Sequence, residues 1–174
     1  MNQLGLFGEA EPAPRQTAAG PAPRPSALEE LRAWVAERAD DGVECPCCGQ
    51  LVRVYRRKLN ANMARFLCSL VRESSARPAG EWVSYRDCEY AGRDYPYVAL
   101  WGLAETRTSV EPRQRTSGLW RATALGVDFV RGRYRVPSHA KIRDNRVIEW
   151  SSELIGVREA LGESFSYEEL LKKK

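Results

Sequence analysis

Three thiols fall within four residues in Cys45-Pro-Cys47-Cys48-Gly49, in a chain of 174 residues that has five cysteines and one histidine. A Cys-x-x-Cys turn lets two thiolates converge on one ion, and a glycine directly after it lets the backbone fold toward the metal. Cys45 and Cys48 are therefore the candidate ligands of a structural zinc ion. A closed zinc site wants four ligands, and no second Cys-x-x-Cys follows. The remaining soft ligands are Cys47, Cys68, Cys88 and His139. Cys68 and Cys88 sit in segments patterned as helices, where a buried free thiol is the ordinary reading, and His139 begins a strand. Two other readings of the turn stay open: a degenerate knuckle that holds no metal, and redox chemistry, although no βαβ pattern surrounds the pair.

Other reaction chemistry finds few residues to carry it. There is no phosphate-cradling Gly-x-x-x-x-Gly-Lys-Ser/Thr, no Gly-x-Ser-x-Gly elbow and no His-Glu-x-x-His, which a single histidine excludes. Carboxylates occur in pairs such as Glu29-Glu30, Asp40-Asp41 and Glu168-Glu169, in capping or surface contexts. The expectation is a protein that is not an enzyme.

The basic residues are unevenly spread. The formal net charge is +4, and both ends of the chain are neutral: Arg15 and Arg24 balance Glu9 and Glu11, and residues 137–174 hold equal numbers of acids and bases. Residues 49–72 carry Arg53, Arg56, Arg57, Lys58 and Arg65 with no acid, and residues 106–136 carry seven arginines against Glu111 and Asp128. Two basic patches follow, of a kind that attracts phosphate backbones. The candidate DNA-contacting residues are Arg53, Arg56, Arg57, Lys58, Arg93, Arg107, Arg113, Arg115 and Arg121.

Composition and punctuation then place these residues on elements. With 43% apolar and 29% charged residues, the chain suits one ordinary soluble domain with some length to spare. Its longest apolar stretch, residues 95–104, is too short to span a bilayer. The first residues lack the pattern of an export signal, so the expected location is the cytoplasm of a bacterial host, associated with the nucleoid if DNA is bound. Residues 8–25 contain five prolines and no large apolar group, which predicts a disordered tail over 1–25.

A second part, 26–58, combines a helix opened by a capping box at Ser26-x-x-Glu29, with Leu28, Leu31, Trp34 and Val35 at helical spacing, and the cysteine turn with a strand over Leu51, Arg53 and Tyr55. A third, 59–136, reads as a helix at 60–73 with Met63, Phe66, Leu67, Leu70 and Val71 in one stripe. Then come a strand at 81–83, a brief helix over 85–90 capped by Ser84, and a helix over 95–101 capped by Asp94 and ended by Gly102. Strands at 103–108 and 118–122 flank the polar loop 109–117, and Thr123 caps a last helix to Val130. The fourth part, 137–174, is a hairpin turning at Arg143-Asp-Asn-Arg146, followed by short helices. A two-residue turn puts Lys141, Arg143, Arg146 and Ile148 on one face and Ile142 and Val147 on the other.

The third part, with Trp101-Gly-Leu-Ala-Glu105 and Leu119-Trp-Arg-Ala-Thr-Ala-Leu-Gly126-Val-Asp-Phe129, resembles the winged-helix superfamily over about residues 59–131. Joined to the Cys-Pro-x-Cys-Gly turn and the Tyr-Arg-Arg-Lys-Leu-Asn stretch, it looks like uncharacterised phage and prophage proteins. The resemblance implies an α+β fold: a winged helix-turn-helix with a zinc-knuckle-like element before it and a β-hairpin after it. It would place residues 94–101 in the major groove, yet they offer no Arg, Asn or Gln for base readout. The wing's arginines favour phosphate contacts of low sequence preference.

Gln3-Leu4-Gly5-Leu6-Phe7 resembles the pentapeptide by which bacterial replication and repair proteins hold the DNA polymerase sliding clamp. In that reading Gln3, Leu4, Leu6 and Phe7 dock the partner from a flexible tether; a latch onto the chain's own domain, or an inert terminus, is the other. The combined expectation is a DNA-associated accessory protein, with duplex DNA and the clamp as partners and Zn2+ as the metal. The rival is an interaction adaptor that uses the winged helix as a scaffold without touching DNA.

Overall fold

Asn60 opens the element that organises most of the molecule. Its side-chain carbonyl accepts the Met63 amide at 3.0 Å, satisfying a donor that the first turn of a helix otherwise leaves unpaired. The computed structural model describes residues 28–89, 92–109, 117–164 and 166–172. The tail expected over 1–25 and most of the arginine-bearing loop, residues 110–116, lie outside the described residues. The fold is α+β, and the chain divides into two compact units at Val54/Tyr55.

The first unit contains α1 (Leu28–Arg38), β1 (Val43–Glu44) and β2 (Leu51–Val52). Acidic Glu29 and Glu30 in the first turn and Arg38 in the last complement the helix dipole. Of the expected apolar stripe, Leu31 is buried while Leu28 is 59% exposed. The strands pair antiparallel with Val43 opposite Val52 and Glu44 opposite Leu51. The cysteine turn forms the loop between them.

The second unit contains the strand β3 (Tyr55–Lys58), then α2 (Ala61–Ser75), whose Met63, Ala64, Phe66, Leu67, Leu70 and Val71 are buried. Around α2 pack β4 (Val83–Ser84), a 3-10 turn at Tyr85–Asp87, a 3-10 helix at Tyr95–Trp101, β5 (Ala104–Thr106), β6 (Leu119–Ala122) and α3 (Ala124–Val130). The strand order is β4-β6-β5, all antiparallel. Phe66 meets Tyr95 at 4.8 Å and Trp120 edge-on at 5.5 Å, fixing helix to sheet through aromatic contacts.

The expected helix at 95–101 is a 3-10 helix, and Asp94 makes no side-chain cap for it. Its carboxylate instead accepts from Asn60 Nδ2 at 3.2 Å. Gly102, at φ +68°, ends the segment in the left-handed conformation.

The remaining elements are β7 (Val136–Pro137), β8 (His139–Arg143), β9 (Arg146–Trp150), β10 (Leu154–Ile155), α4 (Val157–Leu161) and α5 (Tyr167–Lys172). Asp144 and Asn145 both take positive φ, 51° and 59°, as a two-residue hairpin turn requires. Strand β3 pairs with β8, giving the order β3-β8-β9, and β7 pairs with β10. Trp101 donates its indole N–H to the Pro137 carbonyl at 2.7 Å and meets Trp150 at 5.5 Å. Arg72 of α2 donates to the Leu170 carbonyl at 2.9 Å, tying down α5. No helix among the described residues is long and apolar enough to cross a membrane.

Thr123 accepts the Gly126 amide at 3.0 Å and donates to the Gly102 carbonyl at 2.6 Å, so it caps α3 and anchors it to the preceding loop. That anchoring presses Gly126 onto the backbone: a Cβ there would lie 1.9 Å from the Leu103 carbonyl oxygen. Backbone cannot rotate away as a side chain can. Gly126→Ala should therefore destabilise the protein by about 3 kcal/mol, read as a lower denaturant midpoint at unchanged slope. Wild-type stability in that variant would contradict the close approach.

Candidate nucleic-acid interface

Alternation along a strand decides which side chains of β3-β8-β9 meet water. The pairing sets Tyr55 opposite Ile142, Arg56 opposite Lys141, Arg57 opposite Ala140 and Lys58 opposite His139. Ala140 and Ile142 are buried against the core. Arg56, Lys58, His139, Lys141 and Arg143 consequently share the outward face, and Arg146 joins them opposite Arg143.

This face has five permanent cations, with Glu149 beside Lys141 and Glu153 near His139. Glu149 accepts from Lys141 Nζ at 2.8 Å. Arg56, Lys58, Arg143 and Arg146 form no ion pair among the described residues. Like charges directly opposite one another, as at Arg143 and Arg146, weaken a strand pair. A bound anion relieves that repulsion.

His139 sits inside the cluster. Its Nδ1 is 2.8 Å from Ser138 Oγ, and the buried Ser138 hydroxyl donates to Glu153 Oε2 at 2.7 Å. With the hydroxyl proton committed to the carboxylate, Nδ1 carries the imidazole hydrogen and donates it to Ser138. Burial holds the imidazole's pKa below its usual value and Arg56 depresses it further; Glu153 pulls the other way, and Lys58 adds a smaller depression. The imidazolium form is thus disfavoured beside these cations.

The other expected contact residues divide. Arg57 lies over the Tyr97 ring at 4.5 Å, donates to Tyr97 Oη at 3.2 Å and reaches Asp94 at 3.9 Å, so it is committed inside the unit. Arg121 is held by Glu105 at 2.7 Å and covers Trp82 at 4.6 Å. Arg93 and Arg107 are exposed and form no ion pair among the described residues. Arg53 is exposed in the first unit. Arg113 and Arg115 lie outside the described residues, as do Gln3, Leu4, Leu6 and Phe7.

The hairpin face expected from the sequence needs one correction. Lys141, Arg143 and Arg146 do face outward together, but the register shifts between Lys141 and Ile142 so that Lys141 opposes Glu149 and Ile142 opposes Val147. Ile148 is the extra, bulged residue and is 46% exposed. Sequence reading also missed the pairing of β3 with β8, which brings Arg56 and Lys58 to the hairpin's cations.

In the first unit, the cysteine turn is shaped by two backbone bonds of 2.8 Å, from the Cys45 amide to the Gln50 carbonyl and from the Gly49 amide to the Cys45 carbonyl. Gly49 takes φ +68°. The amides of Cys47 and then Cys48 point at the Cys45 sulfur, with the Cys48 thiol beside it, and these donors lower the Cys45 pKa. Amides aimed at one sulfur, with a second thiol next to it, suit a thiolate pair that accepts a metal. No three His, Cys, Asp or Glu side chains converge into a metal-binding group among the described residues.

Comparison with known proteins finds no matching family model, no similar curated protein and no similar solved structure. Function rests on geometry and chemistry. Since Arg56 helps hold His139 neutral, Arg56→Gln should raise the imidazole's titration midpoint in an NMR pH series. A midpoint that stays put or falls would mean that the two side chains do not share one face.

Proposed function

We propose that this chain is a DNA-associated accessory protein that grips duplex phosphates with low sequence preference. The observation that carries the reading is the outward face of β3-β8-β9, where Arg56, Lys58, Lys141, Arg143 and Arg146 outnumber the nearby carboxylates, Glu149 being taken up by Lys141 and Glu153 by Ser138. A polyanion binds such a surface by releasing condensed counterions. Little base readout accompanies it, because Asp94 and Tyr97 on the segment that would enter a groove are engaged by Asn60 and Arg57.

The winged-helix reading is supported by the β4-β6-β5 order, the Thr123 cap and the crowding at Gly126. In that architecture Arg93, Arg107, Arg113 and Arg115 would add phosphate contacts beside the outer sheet. Gln3, Leu4, Leu6 and Phe7 would dock a sliding clamp, tethering the DNA-gripping part to a replication machine. Cys45 and Cys48 would hold a structural zinc ion, whose bonds would lock the β1–β2 turn. A second reading, an adaptor that binds protein and no DNA, draws on the exposed Ile148, Trp150 and Leu154.

The deciding experiment is the affinity of the full chain for two unrelated duplexes as a function of salt. The expected result is similar affinity on both, falling steeply with salt. The variant Arg56→Gln/Lys58→Gln/Arg143→Gln should lower the logarithmic salt slope by about 3, near one unit per lost phosphate contact. An unchanged slope removes the outer sheet from the interface, a strong preference for one duplex means base readout, and no binding near physiological salt favours the adaptor.

A further inference from the structure

The half-site at Cys45 and Cys48 raises the question of where the other ligands come from. All five cysteines and the single histidine of the given sequence are among the described residues, so each of these soft donors can be placed. Cys68 lies fully buried on α2, and Cys88 is buried with its thiol directed at the Ser84 carbonyl, 3.8 Å away. Burial pushes both thiols up to about 12, so they stay protonated and inert. His139 lies in the second unit beside Arg56 and Lys58, whose charges repel a dication. The Cys47 thiol also lies beside the Cys45 sulfur, with a weaker effect than that of Cys48, yet the three thiols do not converge into one metal-binding group among the described residues. One chain therefore offers two thiolates, and a structural zinc ion is closed by four.

We propose that the Cys45–Cys48 turn is completed by the same turn of a second copy, so that one zinc ion held by four cysteines joins two chains. This rests on the zinc-binding part of the function proposed above. The turn is suited to such a contact. It is a short loop between two two-residue strands, with Cys48, Gly49, Gln50 and Leu51 all exposed and Cys45 half-buried. Two identical half-sites meeting about a two-fold axis make a self-complementary, closed contact. Each of the four thiols gives up its proton as the metal binds, and no redox change is involved. The apolar Leu51, 46% exposed beside the turn, has no place in the core and would be shielded by the second copy.

The test uses the full chain under a thiol reductant, which excludes disulfide-linked pairs. Zinc and, separately, cobalt are titrated while metal content and molecular mass are measured. The expected result is saturation at half an equivalent of metal per chain, a cobalt spectrum of four-thiolate tetrahedral type, and a mass of two chains that a chelator returns to one. Cys48→Ser should remain single with or without metal, and Cys47→Ser should still pair. Saturation at one equivalent on single chains overturns the bridging and leaves zinc binding intact. Pairing that ignores both chelator and Cys48→Ser also overturns the bridging. No metal uptake overturns the bridging and the zinc reading together, while the duplex measurements judge the DNA reading independently.

Discussion

Dehydration of one face of α2 is the constraint on which the second unit depends. Phe66, Leu67, Met63 and Leu70 are all within about 1% of full burial, and each large apolar side chain removed from water contributes roughly 2 kcal/mol. No single neighbour covers that face. It is closed from one side by the 3-10 helix and β6, and from others by α3, α4 and α5. Elements far apart in the chain are thereby brought to one post. Tyr167 of α5 donating to the Val130 carbonyl at the end of α3, at 2.6 Å, belongs to the same closure.

The cationic face is the reverse side of this packing. Ala140 and Ile142 turn toward the core, and with a period of two the intervening Lys141 and its neighbours His139 and Arg143 turn away from it. Several other arginines among the described residues are neutralised locally: Arg65 and Arg72 by Glu89, Arg77 by Glu73 and Asp87, Arg135 by Glu159. Against that background, the unpaired cations of the outer sheet stand apart in chemistry as well as place. The cations and the core residues occupy opposite faces of the same strands, so charge can be altered on one without emptying the other.

Features set by near neighbours in the chain were legible. The Asp144-Asn145 turn, the Thr123 and Ser84 caps and the apolar stripe of α2 each depend on residues within a few positions, where side-chain chemistry and backbone preference coincide. Features set by distant partners were not. Nothing local to Tyr55–Lys58 announces that it will pair with residues 139–142, and β7 and β10 are two-residue strands with no pattern of their own. Asp94 reads as a cap because aspartate so often is one; here Asn60 and Arg57 compete for its carboxylate and win. The cysteine turn was legible as a pair of thiols, but how the pair is completed depends on contacts beyond its own residues.

Ile148 shows how much a single inserted residue decides. Had β9 continued in simple register from Arg146, Glu149 would have fallen opposite Ala140 on the buried side and Trp150 opposite His139 among the cations. The bulge reverses both, setting Glu149 against Lys141 and Trp150 against Ala140. An indole among arginines and lysines is the composition of a platform for unpaired, stacking bases. With the bulge in place the indole stands on the other side of β9 from the cations, partly exposed and edge-on to Trp101. One inserted residue thus sets which side chains of β9 stand beside the cations and which stand opposite Ala140.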